Sequence, residues 1–134
     1  MKSREGLLRL KRFQVEEKKR QLAQIEMMIG EFDKMSADLD SQIAFEEKKA
    51  GISDENHFAY PTFAKAAIQR RNNLHGSISE LKDQLAAAEL SLDEASEELA
   101  KAEMLDERDG GKAREAINLE RERMEMQHQR SMIG

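Results

Sequence analysis

Apolar residues recur along this chain in two long series spaced by sevens, separated by one short stretch with no period. In a first segment, from about Ser3 to Lys49, Leu8, Val15, Leu22, Ile29, Ser36 and Ile43 follow one another at heptad spacing. A companion series lies three residues on: Lys11, Lys18, Ile25, Phe32, Leu39 and Glu46. The repeat is cleanest between Leu22 and Ile43. In a second segment, from about Pro61 to Arg130, the series are Ile78, Leu85, Leu92 and Leu99, with Leu74, Leu81, Ala88, Ala95 and Ala102. Alternating apolar and charged positions of comparable length, the mark of a strand, are missing. Heptads of this kind predict two helices wound left-handedly around a shared seam.

Gly51 and Pro61 bracket the irregular stretch, and Gly110-Gly111 marks a second weak point. The expected organisation is one coiled-coil domain over 1–134: a helix over 3–49, a tip over 50–60, a helix over 61–108, and a weakly packed helical tail over 109–130. A short linker makes its neighbours antiparallel. With the bend near residues 53 to 57, facing residue numbers should sum to about 110. Ile25 then meets Leu85, Leu22 meets Ala88, Val15 meets Ala95 and Leu8 meets Ala102. Large residues opposite small ones let the helices approach without a void. Charge favours the same alignment. Lys2, Arg4, Arg9, Lys11, Arg12, Lys18, Lys19 and Arg20 would lie beside Asp93, Glu94, Glu97, Glu98, Glu103, Asp106 and Glu107. Each exposed pair is worth little, but a parallel dimer would crowd the basic ends together.

Composition agrees with this reading. Charged residues make up 37% of the chain and aromatics 4%, with one Pro and no Trp or Cys. Without periodicity those figures would indicate disorder; with it they indicate long helix. A net charge of -5 argues against a nucleic-acid binder. No apolar run approaches the ~18 residues that span a bilayer. The basic start has no apolar stretch behind it, unlike a secretory signal. The lack of cysteine excludes disulfides and thiolate metal sites, and fits the cytoplasm.

Little suggests chemistry. His57, His75 and His128 are scattered, with no helical metal-pair spacing, and read as surface residues. Acidic pairs such as Glu97-Glu98 lie on a helix with no pocket to separate their pKa values. Gly110-Gly111-Lys112 follows no strand, so it is no phosphate loop. No catalysis, cofactor or metal is expected.

The aromatics are few and clustered. Phe45, Phe58, Tyr60 and Phe63 all lie at or beside the bend, while Phe13 and Phe32 lie elsewhere. Some must close the tip, but a two-helix tip has little volume for four rings. One or two should stay exposed and form a contact site. At the other end, the second segment is longer than the first, so its C-terminal residues should overhang. Each glycine of Gly110-Gly111 disfavours helix by about 1 kcal/mol against alanine, and a bend or fray is expected there. Beyond it, Ala113, Ala116, Ile117, Glu120 and Met124 keep a thin apolar stripe. It is either plain surface or a partner-binding helix that orders on contact. Met27, Met28 and Met35 read as core filler, and Met124, Met126 and Met132 as candidates for an adaptable interface.

Three segments carry a family resemblance. Leu8-Arg9-Leu10-Lys11-Arg12-Phe13, with the charged run to Arg20, resembles the start of the flagellar export protein FliJ family, in its alphaproteobacterial form. Asn56-His57-Phe58-Ala59-Tyr60-Pro61-Thr62-Phe63 is similar to the tip where that family's second long helix begins. Leu105-Asp106-Glu107-Arg108-Asp109 resembles the family's segment leading into a charged tail. The resemblance implies an antiparallel two-helix stalk, without catalytic activity, serving a bacterial type III protein export apparatus. Its open end would enter the hexameric export ATPase and promote ring assembly and ATP hydrolysis. Leu8, Lys11, Arg12, Arg121, Arg123 and Met124 would face that ring. Gln42, Phe45, Phe58, Tyr60 and Phe63 would face the cytoplasmic ring of the export gate. Export chaperones are further implied partners. The location would be cytoplasmic, peripheral to the inner membrane at the flagellar base. A general coiled-coil adaptor or an escort chaperone for exported subunits shares the same fold.

Overall fold

The structure is a computed structural model and describes residues 2–133. It is an all-α helical hairpin. Helix α1 spans Lys2–Ala50 and helix α2 spans Thr62–Ile133, and the two pack antiparallel.

The seam follows the heptads. All twelve α1 residues of the two series are buried or half-buried, and so are all nine of α2. Polar members obey the pattern too: Lys11, Lys18 and Glu46 lie half-buried, as long side chains with apolar stems can. Register can be read from five cross-helix polar contacts. Arg4 meets Asp109, Lys11 meets Glu98, Arg12 meets Glu103, Ser36 meets His75 and Asp40 meets Arg71. Their residue numbers sum to between 109 and 115, as the bend position requires.

Two compact units divide the hairpin. The bend unit, Glu17–Leu92, holds the main apolar cluster of Leu39, Ile43, Tyr60, Ala64, Ala67 and Ile68, flanked by Ile52 and Leu74. Ser36 is its one buried polar seam residue among those described, and its Oγ lies 2.8 Å from His75 Nε2. A polar pair at a seam position penalises slipped registers, since any slip leaves the hydroxyl without a partner. His75 is a surface residue that reaches inward for this bond.

The terminal unit comprises Met1–Glu16 and Asp93–Gly134. Here Leu8 and Val15 of α1 are buried, with Ala95, Leu99 and Ala102 of α2 half-buried. The seam ends near Asp109, and every residue from Lys112 to Met132 is exposed. The bend or fray expected at Gly110-Gly111 is absent, and α2 runs through both glycines. A penalty of about 1 kcal/mol per glycine is too small to break a helix whose flanking Ala, Arg, Glu and Lys all favour it. Helix α2 therefore has no internal boundary at 108–109, and the first helix ends one residue beyond the expected Lys49.

The connection covers residues 51–61. Gly51 takes φ +70°, and its N–H donates to the Glu47 carbonyl at 2.8 Å, a left-handed cap that ends α1. Lys48 and Lys49 in the last turn complement the helix dipole. Pro61 lends its carbonyl to Lys65 N–H at 3.1 Å and so starts α2.

Candidate partner-contact surfaces

The bend loop sorts its aromatic rings by backbone geometry. Asp54 Oδ1 accepts from Asn56 N–H at 3.0 Å, and the Asp54 carbonyl accepts from His57 N–H at 3.1 Å. These turn the chain at the acidic tip. A second turn follows, in which the His57 carbonyl accepts from Tyr60 N–H at 3.0 Å and His57 Nδ1 accepts from Ala59 N–H at 3.0 Å. Phe58 stands at the apex of this turn, 97% exposed, with its ring stacked on His57 at 4.7 Å. Tyr60 stands at its exit and points inward.

Tyr60 is the plug. It is buried in the apolar cluster, and its hydroxyl donates to Glu47 Oε1 at 2.7 Å. Tyr60 therefore does not join the contact surface expected of it: its phenol is the one ring that can meet a polar partner at the tip. Burial of that phenol, then its hydrogen bond to Glu47 and the charge of that carboxylate, push its pKa up from 10.0 to about 12. The sign follows from the shift. Folding favours the neutral phenol, so this contribution is intact below pH 10 and is lost as pH rises through about 12. With one tyrosine and no tryptophan, phenolate absorbance reports this group alone. The titration midpoint is expected near 12 in the folded chain, and near 10 in denaturant. A folded-state midpoint near 10 would mean that Tyr60 is solvated.

The other rings stay outside. Phe45 is 65% exposed on α1 and Phe63 is 57% exposed on the first turn of α2. Phe63 and Gln42 line one shallow hollow of about 270 Å³ with Leu39, Ala66, Ala67 and Arg70. A second hollow of about 590 Å³ shares Leu39, Gln42 and Arg70 and continues to Met35, Asp38, Leu74, Asn73 and Ser77. Of the sequence candidates, Gln42 and Phe63 are thus brought together, while Phe58 sits apart on the loop. Met35, expected as core filler, is half exposed at the rim of this groove, and Met27 and Met28, expected likewise, also face outward.

The terminal unit departs further from expectation. Leu8 is buried in the seam and is not available to a partner. Lys11 Nζ donates to Glu98 Oε2 at 2.8 Å, and this bond holds the Glu98 carboxyl below its ordinary pKa. Arg12 Nε lies 3.6 Å from Glu103. Both cations thus pair across the hairpin, while Arg12 stays largely exposed, and surface pairs of this kind leave both within a partner's reach. Also exposed are Leu7, Leu10 and Phe13, at successive i+3 steps on α1, and Met104 and Leu105 on α2. Leu7 and Leu105 line a hollow of about 340 Å³ over Leu8 and Ala102. The available signal was that Leu7, Leu10 and Phe13 fit neither heptad series, so a helix with a filled seam must turn them outward. Arg121, Arg123 and Met124 are exposed on the tail, as expected.

Among the described residues no acidic, histidine or cysteine cluster could hold a metal ion, and no helix is long and apolar enough to cross a membrane. Compared with known proteins, the chain matches no family model, no curated protein and no solved structure.

Proposed function

We propose that this chain is a non-catalytic stalk component of a bacterial type III protein export apparatus, of the flagellar kind. In this reading its terminal unit promotes assembly and activity of the hexameric export ATPase. Gln42 and Phe63 on one face, with Phe45 on α1 and Phe58 on the loop, contact the cytoplasmic ring of the export gate. The chain is held at the inner membrane at the flagellar base through these partners. The observation that carries the reading is the set of large apolar side chains that the folded hairpin leaves uncovered in each unit: Leu7, Leu10 and Phe13 in one, and Phe45, Phe58 and Phe63 in the other. Exposed aromatic and leucine side chains that the seam does not use are what a partner-binding hairpin needs. The three resembling segments supply the choice of partners.

The test is ATP hydrolysis by the cognate export ATPase with and without the full chain. Stimulation is expected. Replacing Leu7, Leu10 and Phe13 with serine should raise the concentration for half-stimulation by at least about tenfold, with helicity retained. A wild-type chain that neither binds nor stimulates the ATPase refutes the reading and leaves a general coiled-coil adaptor. Binding to unfolded export substrates in place of the ATPase would identify an escort chaperone.

A further inference from the structure

We infer that the groove on the bend unit receives the C-terminal tail helix of a second copy of this chain. The inference rests on the two surfaces alone and not on the proposed partners.

The groove is built for a helix. Its two hollows, about 590 and 270 Å³, share Leu39, Gln42 and Arg70 and so form one strip. Leu39, Leu74 and Ala67 make an apolar floor, and half-exposed Met35 and Phe63 stand at its ends. Two helices alone leave this side of the seam uncovered, and a third helix would complete the packing. On α2 the strip runs from Phe63 to Ser77, about 21 Å at 1.5 Å per residue.

The tail matches in length and pattern. Ala113, Ile117 and Met124 recur at i, i+4 and i+11, so they share one face over about 17 Å. Nothing covers them: Ile117 is 57% and Met124 is 64% exposed. Helices in proteins gain most of their stability by burying such an apolar face.

Charge selects the occupant and its direction. The groove has one anionic wall and one cationic wall: Asp38 on α1 and Arg70 on α2. Neither makes an ion pair or hydrogen bond within the described hairpin. On the tail, Glu120 and Arg121 lie on opposite flanks of the Ile117–Met124 line, since they follow Ile117 by three and four residues. One docking direction places Arg121 beside Asp38 and Glu120 beside Arg70; the reverse direction opposes like charges on both walls. Arg70 and the tail belong to one uninterrupted helix, Thr62–Ile133, and an unbroken helix cannot fold back onto its own wall. The tail therefore meets the groove of another copy. Docking would cover Gln42 and Phe63, so self-association and any other use of that face exclude each other.

The chain has no native cysteine, which permits a direct test. One preparation carries Gln42→Cys and a second carries Met124→Cys, so any disulfide between the two is intermolecular by construction. A third carries Leu90→Cys, an exposed site of the bend unit outside the groove. On mixing under mild oxidation, the Gln42→Cys chain is expected to join the Met124→Cys chain at least about tenfold faster than the Leu90→Cys chain does. Adding Arg70→Glu to the groove chain should slow the reaction about tenfold, and Glu120→Arg on the tail chain should restore it. Equal rates at the two bend-unit sites, no response to the charge reversals, or sedimentation as a monomer at every concentration overturns the inference. Circular dichroism of each exposed-site variant checks that the fold persists.

Discussion

Ile43→Ala is expected to lower the unfolding free energy by about 2–4 kcal/mol, a large share of the ~5–15 kcal/mol of a typical domain. Ile43 is the most enclosed of the large seam residues, 5% exposed, and packs in the cluster with Leu39, Tyr60, Ala64, Ala67 and Ile68. A two-helix seam has little material with which to refill the lost volume, so the cavity persists. Leu90→Ala removes a side chain of the same size from an exposed position, 62% accessible, and should change stability by no more than about 0.5 kcal/mol. Chemical denaturation followed by circular dichroism separates the two. The Ile43 variant should show a lower midpoint with an unchanged slope, since the surface exposed on unfolding is nearly the same. Matching midpoints would mean that the seam does not hold the hairpin together.

The division between seam and solvent is the part of the fold most legible in the pattern of the chain. Heptad phase located the seam along α1 and from Leu74 onward on α2, including polar members such as Lys11 and Ser36, but its series did not reach the buried Ala64, Ala67 and Ile68. Periodicity works here because two long helices offer each side chain only two fates, seam or solvent. It also separated Leu7 from Leu8. Helical phase placed Leu8 opposite Ala102 in the seam, while the family resemblance assigned Leu8 to a partner; a side chain cannot do both, and the seam holds it. Lys11 and Arg12 differ from Leu8: they pair with Glu98 and Glu103 on α2, but such surface pairs do not withdraw them from a partner. The tip was less legible. Tyr60 and Phe58 are two residues apart and chemically alike, and only the consecutive turns at Asp54 and His57 decide which ring enters. Gly110-Gly111 misled for another reason: local propensity is a weak term, and α2 continues through it.

Under the proposed function, replacing Phe45, Phe58 and Phe63 together with alanine should weaken binding to the export-gate ring by more than about 30-fold while leaving thermal stability and helicity unchanged. Three exposed rings contribute little to the hairpin's own core, so their loss falls on the partner contact. A single buried aromatic anchor is worth about 2 kcal/mol or more at an interface, which is roughly 30-fold in affinity. The singles should not be equal. Phe58 is the more exposed, but it projects from a loop and must be immobilised on binding, apart from its stacking on His57. Phe63 is fixed on a helix beside Gln42 and Arg70, at the edge of a ready-made hollow, where a partner can enclose it and exclude water. Phe63→Ala is therefore expected to carry the larger share of the loss. Binding measured by calorimetry, beside thermal melts of the same proteins, decides among three cases. Lost affinity with unchanged melting assigns the rings to the contact. Lower melting in step with lost affinity makes them part of the plug that Tyr60 forms. Unchanged affinity removes the tip from the partner surface, and the rings would then be accounted for by neither packing nor this partner.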